Sequence, residues 1–462
     1  MTIGVLQMKA HTIAYDVCQR YVLDNAPALG GELVKLALGY TRARRHDLLA
    51  DIASAFDPAL HGLEEFRALR QIEAFFKKNA TFVDQKECLR AALVSFEQAE
   101  EKCRETNLRL EDYYFEQESR DPDLELWINR MVADIDKVLG PFSRFLEEVP
   151  RRIKLTNGAT ATRSRRKSPA HRKVAKTIPT TAGSVPYLNT LSQYFGYGPL
   201  RYRISPTNRV EFVPKNWKTH RTIACEQDGV IPLQLAWDGY VKDRLRLFGI
   251  DLADQSKNQG LACSASVDGS LATIDMKQAS DTVSYNVVAL LFPWEWFNYA
   301  DAVRAQFGVN KENGLNTRYE KFSSMGNGTT FTIETLVFAS ACRAVGSRLR
   351  AVYGDDIVIE SALVPDLTKL LAFLGFTINV EKSFVSGPFR ESCGGDFYAG
   401  TNITPVYLRG KSSLKPMICH SVNALASIAT PGGLLETFLI SKVIEYGLPL
   451  VPFCESSVAG VC

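Results

Sequence analysis

An α+β fold is what this sequence predicts, and three observations predict it. The first 150 residues carry helix-type periodicity with dense charge. Residues 180–270 mix strand-like runs with turns. Residues 271–400 then alternate in the order strand, helix, helix, hairpin, helix, strand. A chain of 462 residues with 46% hydrophobic content has room for about three domains.

The elements follow from local signals. Periodicity predicts a helix over 85–105 and another over 124–139, the second after the start signal Asp121-Pro122-Asp123. Gly140-Pro141 should break that helix, and 142–149 should resume it at an angle. No internal repeat is visible. Residues 271–274 read as a short buried strand, and Val283, Val287, Val288 and Leu291 then recur at helical spacing. A small-residue loop, Ser323-Ser324-Met325-Gly326-Asn327-Gly328-Thr329-Thr330, opens an apolar helix over 331–345. After Tyr407 a loop leads into helices over 421–430 and 433–445.

Charge and cysteine usage narrow the function classes. Net charge is only +3, but ten basic residues and no acidic ones lie between Arg151 and Lys176, among them Arg163, Arg165, Arg166 and Lys167. Without them 44 basic residues face 51 acidic ones. Such a run suits a phosphate-tracking arm or a solvated linker. Ten scattered cysteines without a Cys-x-x-Cys pair, and six histidines without ligand spacing, argue against zinc and for a reducing compartment. No signal-peptide pattern and no apolar run of 18 residues is present, so no membrane association is expected.

The chemistry concentrates in two acidic sites. In Ala351-Val352-Tyr353-Gly354-Asp355-Asp356-Ile357-Val358-Ile359, a Gly-Asp pair between β-forming runs predicts a two-residue type II′ hairpin with carboxylates at its tip. Upstream, Asp275 ends the strand 271–274, where a carboxylate is misplaced unless exposed or liganded. Together the three aspartates make an oxygen cage suited to Mg²⁺. Clustered carboxylates raise one another's pKa unless cations neutralise them. A metal pair resolves that cost, one ion activating an attacking hydroxyl and the other holding leaving phosphates. Mn²⁺ accepts the same oxygens. Between the two sites, the glycines of the loop allow close backbone approach, and exposed N–H groups at the helix start would favour an anion.

Asp275 with Asp281, then Ser324-Met325-Gly326-Asn327-Gly328, then Tyr353-Gly354-Asp355-Asp356 resemble motifs A, B and C of viral RNA-dependent RNA polymerases. The similarity is closer still to the replicase catalytic (beta) subunit of the small single-stranded RNA bacteriophages, the leviviruses. Gly387-Pro388-Phe389-Arg390-Glu391-Ser392-Cys393-Gly394 and the run 244–252 resemble further segments of that family. The resemblance covers about 150–410; residues 1–150 carry no motif.

The resemblance implies a right-hand polymerase with a ferredoxin-like palm. Its parts would be a helical region at 1–110, fingers at 111–265 with the basic loop 151–176, a palm at 266–400 with motifs A to E, and a thumb or bridging region at 401–462. It implies that Asp275, Asp355 and Asp356 bind two Mg²⁺ ions. Asp281 and Asn327, with Ser324 and Gly326 beside them, would read the ribose 2′-hydroxyl of the incoming nucleotide, which donates and accepts. Lys382 would protonate leaving pyrophosphate. Arg221, Lys215 and Lys218 would grip the triphosphate. Arg390 and Glu391 would lie near nascent RNA, and Arg163, Arg165, Arg166 and Lys167 along the template. Implied partners are single-stranded RNA, ribonucleoside triphosphates, host elongation factors Tu and Ts and a ribosomal protein, in a bacterial host cytoplasm, with primer-independent initiation. A reverse transcriptase also carries a Tyr-x-Asp-Asp turn, but Asp281 with Asn327 fits ribose selection. A non-catalytic RNA-binding scaffold would not need all three aspartates, the loop and Lys382 together.

Overall fold

The computed structural model describes residues 3–116, 120–164, 166, 168–173, 177–408, 414–452 and 459–461. Its first part is helical: α1 (Ile3–Asp24), α2 (Ala26–Arg42), α3 (His46–Leu49), α4 (Leu63–Lys77), α5 (Gln85–Phe115), α6 (Pro122–Leu139) and α7 (Phe142–Arg152). The Asp121 side chain accepts from the Asp123 and Leu124 amides and caps α6 as its sequence signal predicts. Gly140, at φ +69°, ends it. The helix expected over 85–105 runs a further turn and more to Phe115. Its buried residues, including Cys88, Ala92, Phe96, Ala99, Cys103, Asn107 and Leu110, keep one stripe along its whole length.

The middle holds β1 (Thr177–Thr180), α8 (Val185–Tyr194), β2 (Arg201–Ile204), β3 (Thr207–Pro214), β4 (His220–Cys225), α9 (Val230–Leu247) and α10 (Ser256–Asp268). Strand and helix then alternate through β5 (Leu271–Ile274), β6 (Met276–Lys277), α11 (Tyr285–Leu291), α12 (Trp294–Ala302), β7 (Phe307–Asn310), β8 (Leu315–Arg318), α13 (Thr330–Ala344), β9 (Val352–Tyr353), β10 (Asp356–Glu360), α14 (Val364–Phe373), β11 (Thr377–Ile378), β12 (Phe389–Ser392), β13 (Gly395–Tyr398) and β14 (Thr401–Asn402). The last helices are α15 (Leu414–Ala426) and α16 (Leu434–Glu445). The α+β class is as expected. Among the described residues no helix is long and apolar enough to cross a membrane.

One hairpin departs from the expected order. β7 and β8 leave the 271–400 run and join β3 and β4 in a sheet ordered β4-β3-β7-β8, with β7 parallel to β3. Gly314 (φ +77°) turns that hairpin.

The site rests on a three-stranded sheet ordered β5-β10-β9, all antiparallel. Ala272 and Ile274, with Ile357 and Ile359 from the neighbouring strand, enter the large core against Ile333, Leu336 and Val337 of α13. That core also takes in α6, α9, α11, α12 and α14. Burial on this scale fixes the register, because a one-residue slip would turn the whole apolar row outward.

A second core joins the two ends of the chain. Leu69, Ile72, Phe75 and Phe76 of α4 pack with residues of α1 and α2 and with Val422, Leu425, Leu435 and Phe438 of α15 and α16. Asp24, at the end of α1, accepts from the Leu434 and Leu435 amides at 2.8 Å each and so caps α16. This body is tied to β12 and β13 by Arg70. Its guanidinium donates to Asp396 (Nε–Oδ2 2.8 Å) and to Glu391 (3.3 Å).

Candidate active site

Strand register brings the acidic residues together. Ile274 pairs with Ile357, so the next step along the ladder sets Asp275 opposite Asp356. Tyr353 pairs with Asp356, leaving Gly354-Asp355 as the two-residue turn. Gly354 has φ +61° while Asp355 does not share the positive φ, the pattern of the expected type II′ turn. A Cβ at Gly354 would also lie 2.4 Å from the Phe331 ring. The Gly354 amide donates to Thr335 Oγ1 at 3.2 Å, fastening the turn to α13.

These carboxylates carry unresolved charge. Burial, then Asp355, then Asp275 push Asp356 up to about 7. Burial also raises Asp275, although Lys382 and Asn379 pull it down. Asn379 Nδ2 donates to Asp275 Oδ2 at 2.7 Å, and Lys382 Nζ lies 3.7 Å from the same oxygen. Glu334, buried on α13 below the turn, is pushed well above the usual range by burial and then by Asp355, Asp281 and Asp356. Among the described residues no three His, Cys, Asp or Glu side chains close into a metal-sized group. The donor set nonetheless fits a hard cation: oxygen-only, adjacent, and short of positive charge.

A cleft of about 400 Å³ opens above them, and Asp275, Asp281, Asp355, Lys215, Arg221 and Lys382 all border it. The cations arrive from two directions. Lys215 and Arg221 stand at the tip of the β3–β4 hairpin, turned by Asn216, whose side chain accepts from the Lys218 and Thr219 amides. Burial, with Arg221 and Lys382 nearby, holds the Lys215 ammonium below the usual lysine range. Burial pulls Lys382 the same way, but Asp275, Glu391, Asp355 and Asp356 outweigh it and raise its pKa.

The Gly-rich loop behaves differently from its sequence reading. Its Asn327, Gly328, Thr329 and Thr330 amides are spent inside the protein rather than offered to an anion. The Asn327 amide donates to Ser324 O, the Gly328 amide to Gln234 Oε1, and the Thr329 amide to Asn327 Oδ1. Asn327 is buried, and its carboxamide oxygen also accepts from Thr329 Oγ1 at 2.8 Å. Ser324 is buried as well. Met325 is the loop residue that borders the cleft. Gly326 (φ +105°) is pressed on β4, where a Cβ would meet Ala224 O at 2.3 Å.

Two other expectations need correction, those for Lys218 and Arg390. Lys218 does not border the cleft; it pairs with Asp51 at 2.5 Å because the hairpin tip turns it toward the N-terminal body. Arg390 faces no solvent. Its guanidinium donates to the carbonyls of Leu271, Val385, Ser386, Gly387 and Phe389, knitting the turn before β12 to β5. Arg163 is held by the buried Asp228, Nε–Oδ2 2.9 Å. Arg166 is exposed, and Arg165 and Lys167 lie outside the described residues. Sequence reasoning missed Asn379, Lys321 and Gln234. Asn379 alone had a local signal, lying three residues before Lys382.

Residues 56–452 match the family model described as RNA replicase, beta-chain. The chain is 38% identical over 354 residues to an RNA-directed RNA polymerase subunit beta of Qbeta virus (strain MX1), covering 75% of this chain and 60% of that protein. It is 37% identical over 379 residues to the subunit of Enterobacteria phage SP, covering 78% and 64%. It is 42% identical over 213 residues to the beta chain of Escherichia phage MS2, covering 45% and 39%. The chain thus spans less than two thirds of the length of the curated relatives it matches.

Proposed function

The chain belongs to the RNA replicase beta-chain family, and from that premise we propose that its central cleft performs RNA-directed RNA polymerisation, a nucleotidyl transfer. The observation that carries this reading is one cleft with aspartates 275 and 355 on its floor and cations 215, 221 and 382 on its walls. That is the charge arrangement a nucleoside triphosphate needs: oxygen ligands for cations below, positive charge for phosphates around.

In this reading the 3′-hydroxyl of the growing RNA attacks the α-phosphate of the incoming ribonucleotide and pyrophosphate leaves. Lys215 and Arg221 grip the triphosphate and neutralise its charge. Lys382, kept protonated by the aspartates beside it, delivers a proton to the leaving pyrophosphate. Asp281 reads the 2′-hydroxyl. Asp275, Asp355 and Asp356 would hold two Mg²⁺ ions, which when bound activate the attacking hydroxyl and stabilise the leaving phosphates. Asn379 keeps Asp275 oriented, and template pairing selects the base. The fingers, palm and thumb follow the divisions given above, and the working form copies single-stranded phage RNA without a primer. It does so in the bacterial cytoplasm, with host elongation factors Tu and Ts and a ribosomal protein.

The test is incorporation of labelled ribonucleotides on a single-stranded RNA template with Mg²⁺, by the full chain and by Asp355→Asn. Template-dependent product from the parent alone is the expected result. Equal product from both would remove Asp355 from the chemistry.

A further inference from the structure

Asp281 is not left to orient itself. Lys321, three residues before Ser324, places its Nζ 2.9 Å from Asp281 Oδ1 and 3.2 Å from Glu100 Oε1. The lysine side chain is 0% exposed. The rings of Phe96 and Tyr319 flank the ammonium at 4.3 and 5.5 Å. Glu100 is itself fixed, its Oε2 accepting the Glu320 amide at 2.7 Å. Burial alone would lower the lysine pKa, yet Asp281 and Glu100 raise it, so the ammonium stays charged.

The arrangement divides the Asp281 carboxylate. Oδ1 is committed to Lys321, Oδ2 makes no hydrogen bond among the described residues, and the side chain borders the cleft. A carboxylate pinned at one oxygen presents the other in one direction. The same turn is bolted to α5 twice more: Gln278 Nε2 donates to Ser95 O at 3.0 Å, and Cys103 Sγ to Asp281 O at 3.5 Å. Residues 95–103 of the motif-free N-terminal part therefore form the back of the cleft wall that carries Asp281.

We infer that Lys321, itself held by Glu100, is a positioning residue that aims the Asp281 carboxylate at the sugar of the incoming nucleotide and so sets ribose-over-deoxyribose selection. This rests on the polymerase reading of the cleft. An acceptor pinned toward a hydroxyl, as the 23% exposed Asp281 is, is left unpaired by the protein when the ligand lacks that hydroxyl, and such sites reject the deficient ligand. An acceptor free to rotate turns back to solvent and discriminates less.

The experiment compares ribonucleotide with 2′-deoxyribonucleotide incorporation by the full chain, purified with the proteins that assemble with it, and by Lys321→Met and Glu100→Gln. Methionine matches the lysine in length and suits the ring-lined site. Lys321→Met should lower the ribo-to-deoxy ratio of kcat/KM by about tenfold, through a higher KM for ribonucleotides with the deoxy KM unmoved. Glu100→Gln should lower it by about threefold. A purely structural lysine would slow both nucleotides equally, and an unchanged ratio in a folded variant overturns the inference. If Lys321→Met fails to fold, Glu100→Gln decides by the same ratio. A parent that polymerises neither nucleotide overturns the reading of the cleft and this inference with it. A parent that prefers ribonucleotides, beside variants that prefer them equally, overturns the inference alone.

Discussion

Asp275, Asp355 and Asp356 stand on a strand end and a hairpin tip where negative charge outruns its local compensation. Asp356 is pushed up to about 7 and Asp275 is raised as well. Across the cleft, the amides of residues 327–330 and the Asn327 carboxamide oxygen are spent within the loop and on Gln234. Both stretches are short, Gly-containing and turn-forming, and both read as ligand sites in the sequence. The difference teaches where chemistry can sit. A group that still needs a partner can act on a ligand, while a group already satisfied holds shape. Mutations on the two sides should therefore separate activity from stability.

The largest effect belongs to the hairpin. Asp356→Asn should reduce nucleotide incorporation by about 10³-fold or more while leaving the fold intact. Its stability should behave in a particular way without divalent cations. The Asp356 pKa is raised on folding from the ordinary carboxylate range near 4 to about 7. Between those values the folded chain binds the extra proton, so the stability this group contributes is fully present below about pH 4 and is lost as pH rises through 7. Asp356→Asn removes this share of the fall, while Glu226 and Asp396, also raised to about 7 by burial, keep theirs. Melting curves in chelator at pH 5 and pH 7.5 should show a smaller difference for the variant than for the parent. Mg²⁺ should raise the parent's Tm at pH 7.5 and the variant's much less. An equal response in both would mean the hairpin charge is already compensated.

On the loop side the expected loss is in stability. At Gly326 an added methyl must accommodate a φ of +105° and a backbone oxygen 2.3 Å away. Gly326→Ala should cost about 2–4 kcal/mol, seen in the denaturation midpoint, with activity falling because Met325 shifts. Arg390→Met should also destabilise by about 2–4 kcal/mol, since the carbonyls of residues 385–387, 389 and 271 lose their donor. The salt dependence of RNA binding should not change, because a buried arginine neutralises no phosphate. A shallower salt slope would return Arg390 to the RNA surface.

What could be read without coordinates, and what could not, follows the same division. The three aspartates were legible because each breaks a local rule. Asp275 is charged where a buried strand ends, and Asp355 and Asp356 follow a glycine that only a tight turn explains. The α6 cap and its Gly140 stop were equally local. Arg390, Lys218 and Asn327 were misread because burial and partner choice are tertiary. An arginine that will meet five carbonyls looks, in sequence, like one that will meet a phosphate. The β7–β8 hairpin carries a turn signal at Asn313-Gly314, but its partner β3 lies about 100 residues away, and no local pattern names it. The shared core of α1, α2, α4, α15 and α16 is a similar case: an amphipathic helix advertises a face, not what covers it.

Lys218 should have the smallest effect and sets the comparison most finely, because it shares a hairpin tip with two residues given a role in the cleft. Lys215 and Arg221 border the cleft, whereas Lys218 is half exposed and paired with Asp51 on the N-terminal body. An exposed ion pair of this kind contributes about 0–1 kcal/mol. Lys218→Ala should therefore shift stability by less than about 0.5 kcal/mol and KM for nucleotides by less than about twofold. Arg221→Ala, one turn of the same hairpin away, should raise that KM by about tenfold or more, since it removes a charge-assisted contact to phosphate. Steady-state kinetics on the two variants side by side distinguishes a tip that grips substrate with two cations from one that grips with three. Equal KM increases would mean that the hairpin rotates when nucleotide enters and brings Lys218 off Asp51 into the cleft.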